Sequence, residues 1–118
     1  IVVGGEAVVP AAIYDCLPGA TRYGGWDRYA TVTAIASGLQ LNLNQVYVVT
    51  GLDFPDALVA GNLAARSLSP LIMVDQELPA ASETFLTANK AAISGLTVIG
   101  GQVIITPTQD SAIREALK

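Results

Sequence analysis

The sequence predicts an α/β fold with three layers, in which a mainly parallel sheet lies between helices. Short β-branched runs alternate with alanine-rich stretches of helical periodicity, which is the pattern of consecutive βαβ units. Each run is continuously apolar, as parallel strands buried on both faces are. A chain of 118 residues, 52% of them hydrophobic, is long enough to bury one core.

Four strands and most of the helices follow from these runs. We expect the strands at residues 1–3, 46–50, 71–74 and 97–99. A proline stands a few residues after each strand, where its missing N–H costs nothing in the first turn of a helix. These prolines are Pro10, Pro55, Pro79 and Pro107. The clearest helix start has Thr106 as its N-cap.

One further helix is expected to begin at Asp27. Its carboxylate can accept hydrogen bonds from the free N–H groups of the first turn. Gly38 and the polar stretch at 42–44 end the helix. Its predicted core face consists of residues at helical spacing, namely Tyr29, Val32, Ile35, Ala36 and Leu39.

The composition excludes several classes of function. Only 14% of the residues are charged, against about 25% in globular domains, and such a weakly charged surface favours self-association. The net charge of −4 argues against nucleic acid, which needs clustered Lys and Arg. The absence of histidine removes the usual general base and weighs against a hydrolase. No apolar run approaches the roughly 18 residues that membrane insertion needs. The single cysteine, Cys16, is expected to be a small buried hydrophobe.

An internal repeat organises the chain. Ile1-Val2-Val3-Gly4-Gly5 recurs as Thr97-Val98-Ile99-Gly100-Gly101, and each copy leads into an apolar stretch and a short helix. We therefore expect residues 1–17 to be the tail of a preceding unit and residues 18–118 to be one complete unit, together forming one structural domain. The chain also lacks an initiator methionine, so it is interpreted as a fragment of a longer tandem protein.

Four separated motifs carry a resemblance to a known family. They are Arg22-x-Gly24-Gly25-x-Asp27-Arg28-Tyr29-Ala30-Thr31, then Thr50-Gly51-x-x-Phe54-x-Asp56-Ala57-Leu58, then Ala64-Ala65 leading to Ser69-Pro70-Leu71-Ile72, and Val98-Ile99-Gly100-Gly101. In this order and spacing they resemble the cell wall binding type 2 repeat of Gram-positive surface proteins. The similarity covers residues 22–117, with a second partial match at 1–17.

The resemblance implies a non-catalytic anchor without a cofactor. Modules of that family usually stand three in tandem and hold secreted proteins non-covalently on an anionic polymer of the cell wall. The resemblance further implies a fold similar to Toprim domains and a three-fold assembly, formed here with neighbouring repeats or as a homotrimer. Residues 1–17 and 97–118 then either share one sheet, or one of them packs on a neighbour.

Arg28 and Asp56 are the first candidates for a binding site. Each is expected in the first turn of a helix within an apolar segment, where a lone charge would be expensive to bury. One reading is a mutual ion pair; in the other, Arg28 faces the ligand and Asp56 orients it. Arg22, before the glycine turn, is expected to be more exposed, and contacts either a phosphate or carboxylate group or only solvent.

Strand ends supply the remaining candidates. Gly51, Gly100 and Gly101 each follow a strand at its carboxyl end, the edge where open parallel sheets bind ligands. The alternative is a tight turn without a ligand. No Gly-x-Gly-x-x-Gly spacing or phosphate-loop lysine is present, so a nucleotide site is not expected. Trp26, in the turn itself, can stack on a sugar or on a neighbouring module.

The acidic residues after the strands favour no metal site. Asp53 and Asp75 are interpreted as turn residues before helices. The sequence has no Asp-x-Asp, the magnesium motif of Toprim enzymes. The resulting hypothesis is an extracellular module that anchors to an anionic wall polymer and performs no chemistry. The alternative is a structural module that associates with copies of itself and binds no glycan.

Overall fold

The computed structural model describes residues 1–118 and contains five helices and five strands. The strands are β1 Val2–Val3, β2 Arg22–Tyr23, β3 Gln45–Thr50, β4 Leu71–Val74 and β5 Gly95–Ile99. The helices are α1 Ala11–Tyr14, α2 Arg28–Gly38, α3 Pro55–Ser67, α4 Ala80–Asn89 and α5 Pro107–Glu115. The expected strands and helices are all present, and β2 is an addition that the sequence did not predict.

All strand pairs are parallel, but they form two sheets. The larger sheet has the order β4-β3-β5, and the smaller pairs β1 with β2. Residues 1–17 therefore do not share a sheet with residues 97–118. The N-terminal strand instead packs on the segment that precedes α2, in the register Val2 to Arg22 and Val3 to Tyr23.

Three layers result from the path of the chain around β3. The chain passes from β3 to β4 on one side and then returns across β3 to β5 on the other. Right-handed crossovers in opposite directions place α3 and α4 on opposite faces of the sheet. Helix α2 packs beside α4. The predicted three-layer α/β architecture is confirmed.

The main core lies on the face covered by α2, α4 and α5. Val46 and Val48 of β3 and Ile72 of β4 are fully buried there, together with Leu86 of α4. Ile113 of α5 closes the same cluster at 1% exposure. On the opposite face, the small residues of α3 allow that helix to lie close to the sheet; Ala60 and Ala64 are the buried ones.

The predicted helix starts are confirmed by their caps. The Asp27 carboxylate accepts from the Ala30 N–H at 2.6 Å. Thr106 forms a capping box with Gln109, in which side chain and backbone satisfy each other reciprocally. Pro55 and Pro107 occupy the first turns of α3 and α5, and Pro10 and Pro79 directly precede α1 and α4. None of the five helices combines the length and apolar character needed to cross a bilayer.

Three expectations about burial were wrong. Strand β5 is not buried on both faces, because it is an edge strand of its sheet; none of its residues is buried and Thr97 is exposed. Strand β1 is not buried on both faces, because Val2 is buried but Val3 is 55% exposed on a small peripheral sheet. Cys16 is exposed, and its Sγ–H donates to the Ala12 carbonyl at 3.2 Å. The reason is that α1, unlike the other helices, buries none of its residues, so the segment around it lies on the surface.

Candidate functional site

Two Gly-Gly segments interlock at the N-terminal end of the molecule. A Cβ placed on Gly24 would lie 2.5 Å from the Gly4 carbonyl oxygen, and one on Gly5 would lie 2.7 Å from the Gly25 oxygen. Gly4 also has a φ of +119°, which side chains rarely allow. The β1–α1 turn and the β2–α2 loop therefore touch backbone to backbone, and no larger residue fits between them.

The Arg22 side chain also stabilises the contact between the β1–α1 turn and the β2–α2 loop. Its Nη1 donates to the Gly4 carbonyl at 2.7 Å and its Nη2 to the Val9 carbonyl at 2.9 Å. The guanidinium lies 4.7 Å from the centre of the Tyr14 ring, a cation–π distance. The side chain is half-buried, so the expectation of a more exposed arginine was wrong. The carbonyls that attract it belong to a turn that the sequence did not place beside it.

A cleft of about 440 Å³ opens beside the interlocked turns. We call it the Trp26 cleft. Trp26 stands at its rim with 91% of its surface exposed, and Arg28 is exposed beside it. The floor is apolar and comes from β1, α2 and β4, through Val3, Val32, Ile35 and Met73. The cleft thus presents one aromatic side chain, Trp26, and one cationic side chain, Arg28, above an apolar floor.

Arg28 makes no ion pair. The ion pairs of the structure join Arg114 to Asp110 and Lys118 to Glu115, both on α5 or just after it. Nη1 of Arg28 instead donates to the Gly51 carbonyl at 2.5 Å. Of the two readings of Arg28 and Asp56, the mutual ion pair is therefore wrong. Because Arg28 is exposed, its charge stays hydrated and needs no carboxylate partner.

Asp56 lies elsewhere, in the first turn of α3. Its Oδ2 is 3.4 Å from the point that a Cβ on Gly100 would occupy. A carboxylate at this position interacts favourably with the helix dipole, which supplies a structural reason for its charge.

Gly51 is a glycine because Tyr29 lies against it. A Cβ on Gly51 would be 2.5 Å from the Tyr29 ring. A second cleft of about 330 Å³ lies over Gly51 and contains Arg28 in its wall. The structure thus brings Trp26, Arg28 and Gly51 together and leaves Arg22, Asp56, Gly100 and Gly101 outside these two clefts.

A hydrogen bond from Tyr29 to Asp75 ties α2 to the end of β4. The Tyr29 hydroxyl donates to Asp75 Oδ2 at 2.6 Å. Burial and this contact raise the pKa of Tyr29 to about 12. The same hydrogen bond, helped by the Gln76 N–H and the charge of Arg28, lowers the pKa of Asp75. Sequence reasoning placed Tyr29 on the core face and missed this partner, although a buried tyrosine hydroxyl usually requires one.

The acidic residues after the strands act as turn residues, as predicted. Asp53 accepts from the Phe54 N–H at 2.8 Å, and Asp75 accepts from the Gln76 N–H at 2.7 Å. No group of three or more acidic or cysteine side chains converges in a way that could hold a metal ion.

Fold and site together define a class of protein: a small parallel α/β module with an open cleft rimmed by an aromatic ring and a guanidinium group. Comparison with known proteins narrows the class. The model of cell wall binding domain 2 (CWB2) matches residues 22–109, and the chain belongs to this family. The resemblance stated from the four motifs is confirmed, whereas likeness to Toprim domains stays a prediction.

Two relatives illustrate the family. The chain is 30% identical over its whole length to N-acetylmuramoyl-L-alanine amidase LytC of Bacillus subtilis (strain 168), of which it covers 23%. Its fold matches that of Cwp8 from Clostridium difficile with a TM-score of 0.79 and 26% identity, over 97% of this chain and 19% of Cwp8. The chain thus spans less than a quarter of either relative. It corresponds to a cell wall binding module, which associates it with the bacterial cell wall.

Proposed function

We propose that this module is a non-catalytic, extracellular anchor that binds an anionic polymer of the cell wall in the Trp26 cleft. Binding needs no cofactor or metal in this scheme. The family supports the wall as the target, since its domain is a cell wall binding domain. The polymer is defined here by its chemistry, which is a chain of sugars carrying phosphate or carboxylate groups.

The observation that carries the proposal is the state of Arg28. It is an exposed guanidinium without a carboxylate partner, held in place by a single backbone carbonyl. Its other N–H groups can donate to a phosphate or carboxylate in the bidentate geometry that arginine favours. Trp26 stands beside it on the same cleft and offers a face on which a sugar ring can stack.

The N-terminus of α2 adds donors to this arrangement. The backbone N–H groups of Arg28 and Tyr29 make no hydrogen bond within the chain, since the Asp27 carboxylate accepts from Ala30 and the Asp27 backbone carbonyl accepts from Thr31. Free N–H groups and the positive end of the helix dipole favour an anion. The Asp27 carboxylate on the cleft opposes this attraction, so affinity at one site should be weak and salt-sensitive.

Among the remaining candidate residues, Arg22 and Gly51 receive indirect roles in the proposal. Arg22 positions the turn that forms one wall of the cleft, through its bonds to Gly4 and Val9. Gly51 positions Arg28 through its carbonyl. Asp56, Gly100 and Gly101 lie outside both clefts and are given no polymer contact in this proposal.

Several modules acting together supply the strength that one cleft lacks. Neighbouring repeats or copies raise the effective concentration of sites on one polymer chain, so weak contacts add up to firm attachment. The recurrence of the motif at residues 1–5 as residues 97–101 supports a tandem arrangement of this kind.

Co-sedimentation with purified Gram-positive cell walls tests the proposal. The wild-type chain should bind walls and lose most binding when the anionic polymer has been extracted from them. Arg28→Ala and Trp26→Ala should each reduce binding about tenfold, the usual effect of removing one well-placed charged or aromatic contact. Arg66→Ala, an exposed arginine in the last turn of α3, is the matched control and should bind as wild type. Full binding by a folded Arg28→Ala protein contradicts the proposal.

A second candidate function is self-association without glycan binding. It is favoured by the outer face of α3 and the loop before it, where Phe54, Leu58 and Val59 are 70%, 64% and 69% exposed. An apolar patch of this kind commonly marks a protein contact. Light scattering coupled to size exclusion separates the two functions, since trimers that lack wall binding favour the second. Leu58→Asp should then abolish the trimer.

A further inference from the structure

The second Gly-Gly turn of the chain has the conformation of the first but none of its partners. Gly4 and Gly100 both have positive φ, +119° and +139°. In the first turn the Val9 N–H donates to Gly5, and in the second the Ile105 N–H donates to Gly101, at 3.0 and 2.9 Å. The repeat seen in sequence is therefore also a repeat of backbone geometry.

The hydrogen-bonding groups of the two turns differ in occupancy. The Gly4 N–H donates to Tyr23 at 2.8 Å, and the Gly4 and Val9 carbonyls both accept from Arg22. The corresponding groups of the second turn are the N–H and carbonyl of Gly100 and the carbonyl of Ile105. None of these three makes a hydrogen bond within the chain. Gly100 also directly follows β5, which is an edge strand of its sheet.

Gly101 points to the same missing partner. Gly5, its counterpart, must be glycine because the Gly25 backbone lies against it. Around Gly101, by contrast, nothing lies within 4 Å of a Cβ position, and its φ is not positive. The chain therefore contains no steric reason for glycine at 101. A backbone approaching from outside, as Gly25 approaches Gly5, would supply that reason.

We propose that β5 and the Gly100–Ile105 turn form the docking site for the β2–α2 segment of a following copy of this module. Strand β2 of that copy adds in parallel to β5, in the register that β1 shows with β2. Arg22 of the copy then donates to the Gly100 and Ile105 carbonyls, and its Gly25 lies against Gly101. The order of the extended sheet is β4-β3-β5-β2.

The contact between β1 and β2 within this chain identifies the segment that docks on β5. Residues 1–17 repeat residues 97–117 and are already seated on β2, so one half of this contact is visible within the structure. A separate copy must compete with its own residues 1–17 for β2, whereas a unit that follows directly in the same chain need not. The contact is therefore head-to-tail between successive units. It does not depend on polymer binding.

A duplicated chain tests this docking. Residues 18–118 are repeated directly after Lys118, so the first 118 residues are unchanged. Residues 97–118 of the first copy then precede the second copy as residues 1–17 precede the first. Amide hydrogen exchange by NMR compares Gly100 of the first copy with Gly100 of the single chain. We expect exchange to slow about tenfold or more in the duplicated chain, because the N–H gains an acceptor. Unchanged exchange, or a second copy that does not fold, overturns the proposal.

Matched substitutions locate the contact. In the duplicated chain, Gly101→Ala in the first copy or Arg22→Ala in the second should return Gly100 to fast exchange. Gly61→Ala in the first copy is the control for the glycine, since Gly61 also has open space around it. Arg66→Ala in the second copy is the control for the arginine. Slow exchange that survives Gly101→Ala contradicts the proposed register, even if the Arg22 variant unfolds.

Discussion

The two Gly-Gly turns carry the same motif but have opposite surroundings. The first is covered from outside by Arg22 and by the Gly24-Gly25 loop, while its inner apolar residue, Val9, is only half-buried. The second turn has no residue packed against the outer side of Gly101, but its inner residue, Ile105, is 4% exposed and belongs to the main core. The motif therefore specifies the conformation of the turn, whereas the surrounding elements decide how the turn is stabilised.

The largest effect should come from truncating the inner residue of each turn. Ile105→Ala leaves a cavity in the main core and should lower the free energy of unfolding by about 3 kcal/mol, whereas Val9→Ala should cost about 1 kcal/mol. Urea unfolding of the single chain measures both. Equal losses would mean that the two turns contribute alike to the core, contrary to their burial.

Next in size is the effect of a methyl group on the outer side of each turn. Gly24→Ala forces a Cβ against the Gly4 backbone and should destabilise the protein by about 2 kcal/mol, a typical cost of overpacking. Gly101→Ala meets open space and should leave the single chain unchanged or stabilise it by about 0.5 kcal/mol. Thermal unfolding monitored by circular dichroism ranks the two. A destabilised Gly101→Ala protein would show that the second turn is packed more tightly than its surroundings indicate.

Removing the Arg22 side chain, which donates hydrogen bonds to the first turn, should have a somewhat smaller effect on stability. Arg22→Ala leaves the Gly4 and Val9 carbonyls without their donor, and we expect a loss of about 1.5 kcal/mol. The loss should be local, with residues 1–17 cut by protease at much lower enzyme concentration. Arg114→Ala, which removes an exposed pair on α5, should change neither stability nor cleavage noticeably. Intact protection of residues 1–17 in Arg22→Ala would show that strand pairing and glycine packing suffice to hold them.

The smallest effect concerns a contact outside both turns, the hydrogen bond from the Tyr29 hydroxyl of α2 to the Asp75 carboxylate after β4. Tyr29→Phe should cost about 1 kcal/mol near neutral pH. Because the folded state raises the pKa of Tyr29 from 10.0 to about 12, this contribution is complete below pH 10 and is lost as the pH rises toward 12.

At acid pH the stability changes with pH in the opposite direction. The folded state lowers the pKa of Asp75 from 3.8, so its contribution is present above that pH and declines as the pH falls further. Unfolding measured across pH should therefore show a steeper loss at both extremes in wild type than in Tyr29→Phe. Parallel curves for the two proteins would mean that the hydrogen bond is not made in solution.

How much the sequence could predict depended on the distance between partners along the chain. The Asp27 cap and the Thr106–Gln109 capping box each join residues three apart, and both were predictable from residue type and position. The Trp26 position at an exposed turn was predictable for the same reason. Strand β2 was not, because Arg22-Tyr23 lacks the continuous β-branched run that marked the other strands.

The candidate site was predicted in part. Arg28 and Trp26 were each singled out from the sequence as binding candidates, and both line the Trp26 cleft because they stand two residues apart at the start of α2. The assignment of Asp56 to Arg28 failed, since similar positions in two helices do not imply that the side chains meet. Which carbonyl holds Arg28 depends on where β3 ends relative to α2, and that is set by packing.

The sequence by itself determined the alternation of strands and helices, the helix starts and the conformation of both Gly-Gly turns, because each depends on residues close together in the chain. Tertiary structure alone decided that Arg22 clasps the first turn, that Arg28 stays unpaired and that Tyr29 reaches Asp75. The hydrogen bonds concerned join residues 13 to 46 positions apart. At such separations no local preference selects a partner, and only the packing of the elements brings donor and acceptor together.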